Sequence, residues 1–216
     1  MSTLREWFED RTGIKTLLKV ALDEPVHGGA KWSYIFGSGL VFLFILQAVT
    51  GIVMASFYSP SSTSAWGSVY YLQYKTSFGW FVRGVHHFGS SAMMILALVH
   101  MFQVFIFGAY KKPRELNWIV GVLIFVTMLG LGFTGYLLPW DMKALFATKV
   151  GIEIAGSVPF IGEQIKILLA GDSEILGAQT LTRFFAIHVF FLPAALLGLL
   201  AAHFVFIRRQ GISGPL

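Results

Sequence analysis

Four stretches of the chain are free of Asp, Glu, Lys and Arg for long enough to cross about 30 Å of hydrocarbon. They are the stretch from Trp32 up to Lys75 (membrane part about Ser33 to Phe57, span A), Gly84 to Tyr110 (B), Leu116 to Pro139 (C) and Phe184 to Ile207 (D). A backbone inside lipid has to satisfy its own N–H and C=O groups, so each stretch is expected to be an α-helix. The expected fold is an all-α, integral-membrane four-helix bundle. Composition agrees: 56% of residues are hydrophobic and only 12% charged, against about a quarter charged in soluble domains. No repeat, low-complexity tract or soluble domain interrupts residues 1–216, so one domain is expected.

The net charge of +5 speaks to orientation rather than to an anionic partner such as nucleic acid. Ten of the sixteen Lys and Arg lie before span A, between B and C (Lys111, Lys112, Arg114) and after D (Arg208, Arg209). With four spans these segments share one face, which the positive-inside rule makes cytoplasmic. Both termini are then expected on the inner side of a bacterial plasma membrane. The N-terminal segment Leu4 to Glu24 alternates charged and apolar residues, so it reads as an amphipathic helix in the interface plane, or packed on another subunit, and not as a signal peptide. Thr3 and Glu6 have capping-box spacing at its start. The chain contains no cysteine, which excludes disulfides, iron–sulfur ligation by this chain and thioether-linked haem.

Two histidines sit in span B, His86 and His100, and two in span D, His188 and His203. B and D run in the same direction, so His86 and His188 share the outer level and His100 and His203 the inner one. Fourteen residues separate His86 from His100, a rise of about 21 Å with the rings about 40° apart around the axis. His188 and His203 are fifteen residues apart, about 60° out in an ideal helix, and Pro193 between them can kink the helix and realign the second ring. A lone intramembrane histidine commonly bonds a neighbouring helix. Two pairs at matched depths ask for a shared ligand at each level, and two stacked haems supply it. Zinc wants four ligands close together, and these pairs are too far apart to share one ion. His27 and His87 have no partner by this logic.

Spans A and C each hold two glycines fourteen residues apart, Gly37 and Gly51, Gly121 and Gly135. The period matches that of the histidines. Gly37 and Gly121 should flank the inner haem, Gly51 and Gly135 the outer one, where the missing side chain lets a flat macrocycle approach; small-residue helix packing is the other reading. Arg83 and Arg183 precede the outer histidines and are expected to pair with propionates, or else to anchor the span ends. Lys111, Lys112, Arg114 and Arg208 lie near the inner level. Between C and D, Lys143 to Ile154 and Gly162 to Leu169 have helical periodicity, so short helices along the outer face are expected. The A to B connection reads as a Ser59-Pro60-Ser61-Ser62 turn followed by an aromatic interfacial segment.

Arg83-Gly84-Val85-His86, the His-x13-His and His-x14-His pairs, Gly135-Tyr136-Leu137-Leu138-Pro139-Trp140-Asp141, Thr180-Leu181-Thr182-Arg183-Phe184 and the ending from Arg208 to Leu216 together resemble cytochrome b of quinol-oxidising cytochrome bc complexes. The x14 spacing in D, the run Lys111-Lys112-Pro113-Arg114-Glu115-Leu116 and the four spans resemble its short, split b6 form. The resemblance implies a di-haem b-type subunit of a quinol to cytochrome c (or plastocyanin) oxidoreductase in a respiratory or photosynthetic chain. Electrons would pass from an outer quinol site to an inner quinone site, coupled to proton translocation. It implies two non-covalent haem b groups, a Rieske iron–sulfur protein, a c-type cytochrome, a subunit-IV-like chain and a dimeric complex as partners, and no turnover by this chain alone. Ala147, Gly151, Val158 and Pro159 match positions that border the outer quinol pocket. Ile35 stands where chloroplast-type members attach an extra haem through cysteine, so no covalent haem is expected there, and Gln103 stands where an arginine is common. Asp23, Glu24, His27 and Arg208 are candidates for proton delivery to the inner quinone. A haem-bearing membrane anchor of another quinone-linked oxidoreductase is the alternative.

Overall fold

The structure, a computed structural model, describes residues 3–16, 19, 23, 35–171 and 176–211. Its elements are α1 (Leu4–Thr12), α2 (Ile35–Ala55), α3 (Ala65–Lys75), α4 (Gly79–Ile106), α5 (Glu115–Leu137), α6 (Met142–Gly156), α7 (Gly162–Ala170), α8 (Ala178–Ala186), a π-helical turn (Ile187–Phe191) and α9 (Leu192–Gln210), with no strand among the described residues. Four are long and apolar enough to cross a membrane: α2, α4, α5 and the continuous run Ala178–Gln210. This is an all-α integral membrane protein. The fourth and second spans start earlier than their charge-free limits because α4 includes Arg83 and α8 includes Arg183. An arginine near a span end keeps its charge at the interface while its stem stays along the helix.

α2 lies along α4, and α5 along α9. The two pairs meet at mid-height in a core of Met93, Ala97, Met128 and Leu196, with Leu40, Phe44, Ile124 and Leu200 against it. Outward-facing apolar residues such as Phe42, Ile45 and Ile52 stay exposed, as lipid-facing side chains do. Lipid tails are as apolar as leucine, so little hydrophobic gain holds these helices together; close contact has to come from packing and small residues. The π-helical turn closes with Leu192 N–H donating to Ile187 O, five residues back. Pro193 follows directly and has no N–H to continue a regular ladder. The turn absorbs about one extra residue, so the fifteen-residue spacing in this span orients its rings much as the fourteen-residue spacing does in α4.

A second core, Leu137, Ile152, Ala170 and Phe184 with Ala147, Leu169 and Leu176, fastens α6 and α7 across one end of the bundle. Asp141 caps α6 by accepting from Ala144 N–H at 2.8 Å, and the buried Thr180 hydroxyl donates to Ala170 O at the end of α7 at 2.7 Å. Lys166 pairs with Glu153 at 2.8 Å, which raises the lysine's pKa, but the pair is exposed and contributes little. The expected short helices from Lys143 and Gly162 are these two. The aromatic stretch after the serine turn is the helix α3. Tyr58, between α2 and α3, donates to Leu138 O at 2.6 Å and stacks on Phe185, and burial raises its pKa.

At the N-terminus Thr3 and Glu6 form the reciprocal capping box, but the helix does not run unbroken to Glu24. Gly13 takes φ 59° and ends α1, with its N–H donating to Glu9 O. A left-handed glycine is a common helix stop. Leu17, Leu18, Ala21, Leu22, Glu24 and His27 lie outside the described residues.

Candidate functional site

α4 carries His86 and His100, the π turn carries His188, and α9 carries His203. His86 and His188 face each other with ring centres 6.4 Å apart and planes at 74°. An imidazole nitrogen sits about 2 Å from a first-row metal, so one iron with a ligand on either side needs a ring separation of this size. His100 and His203 both line a cavity of about 270 Å³ at the other level, walled by Leu40, Phe44, Met93 and Phe125. The polar groups set against these rings are the Gln103 side chain at His100 and the Asn117 backbone at His203.

Each of the four glycines stands against one histidine. A Cβ added at Gly51 would lie 3.3 Å from His86 Cε1, and one at Gly135 would lie 2.6 Å from His188 Cε1. At the other level a Cβ at Gly37 would lie 3.8 Å from His100 Cε1 and one at Gly121 3.7 Å from His203 Cε1. The helices that carry no histidine therefore bring bare backbone to each ring. Glycine-faced imidazoles at both levels fit a haem, with opposed rings at the His86 level and apolar walls at the His100 level. Among the described residues no three His, Cys, Asp or Glu converge, so a four-ligand metal site has no donor set there.

Sequence reasoning missed two hydroxyls. Thr50 Oγ1 is 2.9 Å from His86 Nδ1, and Thr134 Oγ1 is 3.0 Å from His188 Nδ1. Both precede a ring-facing glycine, and the repeated Thr-Gly pair was the available signal.

The arginines sit at the ends. Arg83 donates from Nη1 to Gln73 Oε1 on α3 at 3.0 Å, and Arg183 from Nη1 to Ile167 O and Leu168 O, two carbonyls in the last turn of α7, at 2.9 and 2.8 Å. Arg114 lines the His100 cavity and donates to Gln210 O at 3.2 Å, while Gln210 Nε2 donates back to Pro113 O at 2.9 Å. Gln103 and Asn117 line the same cavity. Ala147 and Gly151 lie on α6, where Gly151 leaves room for the Phe133 ring, and Val158 and Pro159 form the turn that follows α6. His87 is exposed beside Phe88.

Fold and site together define a four-span membrane protein with two intramembrane histidine pairs. Residues 21–211 match the family described as Cytochrome b/b6/petB. The chain is 57% identical over 223 residues to the menaquinol:cytochrome c reductase cytochrome b subunit of Geobacillus thermodenitrificans, and the match covers all of both chains. It is 39% identical to cytochrome b6 of a Synechocystis strain, across all of this chain and 96% of that one. Among solved structures, a hyperthermophilic respiratory complex III chain superposes with a TM-score of 0.88 at 30% identity, over 98% of this chain and 56% of the other. The chain belongs to the cytochrome b/b6 family, which makes it a haem-b-binding protein.

Proposed function

We propose that this chain is the di-haem cytochrome b subunit of a quinol to cytochrome c oxidoreductase, with menaquinol as the quinol. The 57% full-length identity to a menaquinol:cytochrome c reductase subunit supports the substrate and the acceptor. In this reading His86 and His188 hold one non-covalent haem b near the outer face, and His100 and His203 hold a second near the cytoplasmic face. The observation that carries it is the opposed His86–His188 pair with a glycine against each ring.

When bound, each group supplies reversible one-electron transfer; two imidazoles leave iron no open position for oxygen. The chain's residues orient and insulate it. Met93, Ala97, Met128 and Leu196 fill the space between the levels and exclude water. Arg114, in the wall of the His100 cavity, is the cation that answers the inner carboxylates in place of the arginine that Gln103 replaces. Arg83 and Arg183 serve the outer ones, and Ala147, Gly151, Val158 and Pro159 border the quinol pocket. Ile35 and the absence of cysteine from the whole sequence leave any further haem non-covalent. A subunit-IV-like chain, a Rieske protein and a c-type cytochrome complete a dimeric complex in the bacterial plasma membrane, with both termini of this chain cytoplasmic and residues 1–216 forming one domain.

Substitution tests the pairing. His86→Leu or His188→Leu in the intact complex is expected to remove the same one of two reduced b-type bands, and His100→Leu or His203→Leu the other. Equal loss of both bands from every variant would refute the pairing.

A further inference from the structure

An open groove of about 560 Å³ runs along the start of α4, against about 270 Å³ for the cavity at the His100 level. Phe81, Gly84 and Phe88 fall about 140–160° around the helix from His86, so the groove lies on the side of α4 turned from its haem-facing ring. Trp80, Phe81, Val85 and Phe88 wall it. Gly84 is its floor, where an added Cβ would meet nothing within 4 Å. The hydrogen-bonding side chains in its lining are Arg83 and His87 on α4 and Gln73 on α3. Deeper in the span the same face of α4 continues as Phe88, Ile95 and Phe102, seven residues apart and all exposed.

Charge and depth narrow the occupant. Arg83 gives one guanidinium N–H to Gln73 Oε1 at 3.0 Å, which holds the fork at the groove. The chain has no Asp or Glu between Glu24 and Glu115, so neither α3 nor α4 supplies a carboxylate to this cation. Trp80 and, on α3, Tyr70, Tyr71 and Tyr74 are exposed, and such an aromatic belt marks the membrane–water interface, the level of lipid head groups. From Arg83 to Phe88 the helix rises about 7.5 Å into the span. Over that distance the lining changes from cationic to apolar. An anion alone would satisfy the arginine and leave the aromatic walls bare, and a hydrocarbon alone would do the reverse.

We propose that this groove is a phospholipid site. The phosphate of one diacyl lipid, from the leaflet at the His86 end of the bundle, seats on Arg83 with His87 beside it, and its acyl chains pass Gly84 and Phe88 and follow Ile95 and Phe102. The inference rests on the membrane fold and is independent of the haem assignment. A guanidinium has five N–H donors in a planar fork, enough for Gln73, this phosphate and the carboxylate assigned to Arg83 above. An arginine–phosphate bond is charge-assisted and stronger than a neutral one, so it singles out this stretch of a helix face that lipid tails otherwise cover without preference. Because Gln73 belongs to α3 and the other lining residues to α4, the lipid also fills the angle between the two helices.

The test is native mass spectrometry of the purified intact complex, stripped of lipid in detergent and titrated with phosphatidylglycerol. The unmodified complex is expected to take up one lipid per copy of this chain that the Gly84→Leu complex does not, with pigment content the same in both. Leucine fills the groove and is a better helix former than glycine. Gln73→Leu unties the guanidinium and is expected to weaken uptake of that lipid about tenfold, the scale of one bond to a charged group. Inorganic phosphate at millimolar concentration is expected to leave the lipid in place; full displacement by it would reduce the groove to an anion site and overturn the inference. Equal lipid uptake by the unmodified and Gly84→Leu complexes overturns it as well, and a partner subunit shed from Gly84→Leu with lipid uptake unchanged would give the groove to a protein helix instead. Should Gly84→Leu fail to assemble, uptake unweakened by Gln73→Leu decides against the site.

Discussion

Gly135 is the tightest of the four ring-facing glycines. A methyl there would lie 2.6 Å from His188 Cε1 and 3.2 Å from Nε2, and the ring cannot swing aside without leaving Thr134 Oγ1 at 3.0 Å. At Gly121 and Gly37 the same methyl meets its histidine at 3.7 and 3.8 Å, which is ordinary contact. Pushing a ring about 30° off its rotamer costs about 0.5–1.5 kcal/mol, enough for a severalfold loss of occupancy. Gly135→Ala is therefore expected to deplete the outer b-type band selectively, and Gly121→Ala to deplete the inner band less; equal effects on a reduced difference spectrum would contradict this geometry. Histidines and glycines were legible in the sequence because His86 and His100 and both glycine pairs repeat at fourteen residues, with His188 and His203 one residue off at fifteen, a signal that survives without knowing which helices touch. The threonines were not, since a threonine in an apolar helix ordinarily satisfies itself on the carbonyl four residues back, as these two also do. The bonds from Arg183 to the end of α7 depend on a helix brought back over the bundle, and no local pattern announces that approach.

At the scale of elements, the π turn reconciles fourteen residues in α4 with fifteen in the fourth span. From the sequence, Pro193 announced an irregularity but not its form, because a kink and a widened turn both answer a missing N–H. The structure takes the widened turn, closed by Leu192 N–H on Ile187 O. Deleting Phe190 from that turn is expected to leave a regular helix with the fourteen-residue spacing, and the complex should keep both haems. Deleting Ala201 keeps the widened turn and rotates His203 by about 100° relative to His188, so the inner haem should be lost. Pigment content of the two purified variants distinguishes them, and loss of a haem from the Phe190 deletion would rule out this role for the turn. α6 and α7 were readable to within one or two residues because each keeps helical periodicity and Gly156 and Pro159 separate them. The stop at Gly13 was missed because the amphipathic pattern continues through it while the backbone does not.

For the molecule as a whole, what matters is that the two histidine levels are stacked along the spans and not set side by side. His86 and His100 lie on one helix with a rise of about 21 Å between them, some two thirds of a hydrocarbon core of about 30 Å. Moving one charge across the full membrane costs about 2.3 kcal/mol per 100 mV, so this partial transit couples to about 1.6 kcal/mol. That corresponds to roughly a tenfold change in how one electron is shared between the levels. In vesicles holding the complex in one orientation, with the quinone-reducing site blocked, a 100 mV potential negative on the cytoplasmic side should move electrons from the inner haem to the outer one. Reversing the potential should reverse the shift. The effect should be absent in a His100→Leu complex, where only one level remains to hold the electron. If the two b-type bands keep a constant ratio under both polarities in the unmodified complex, the levels do not lie at different depths and the vertical reading of the bundle fails.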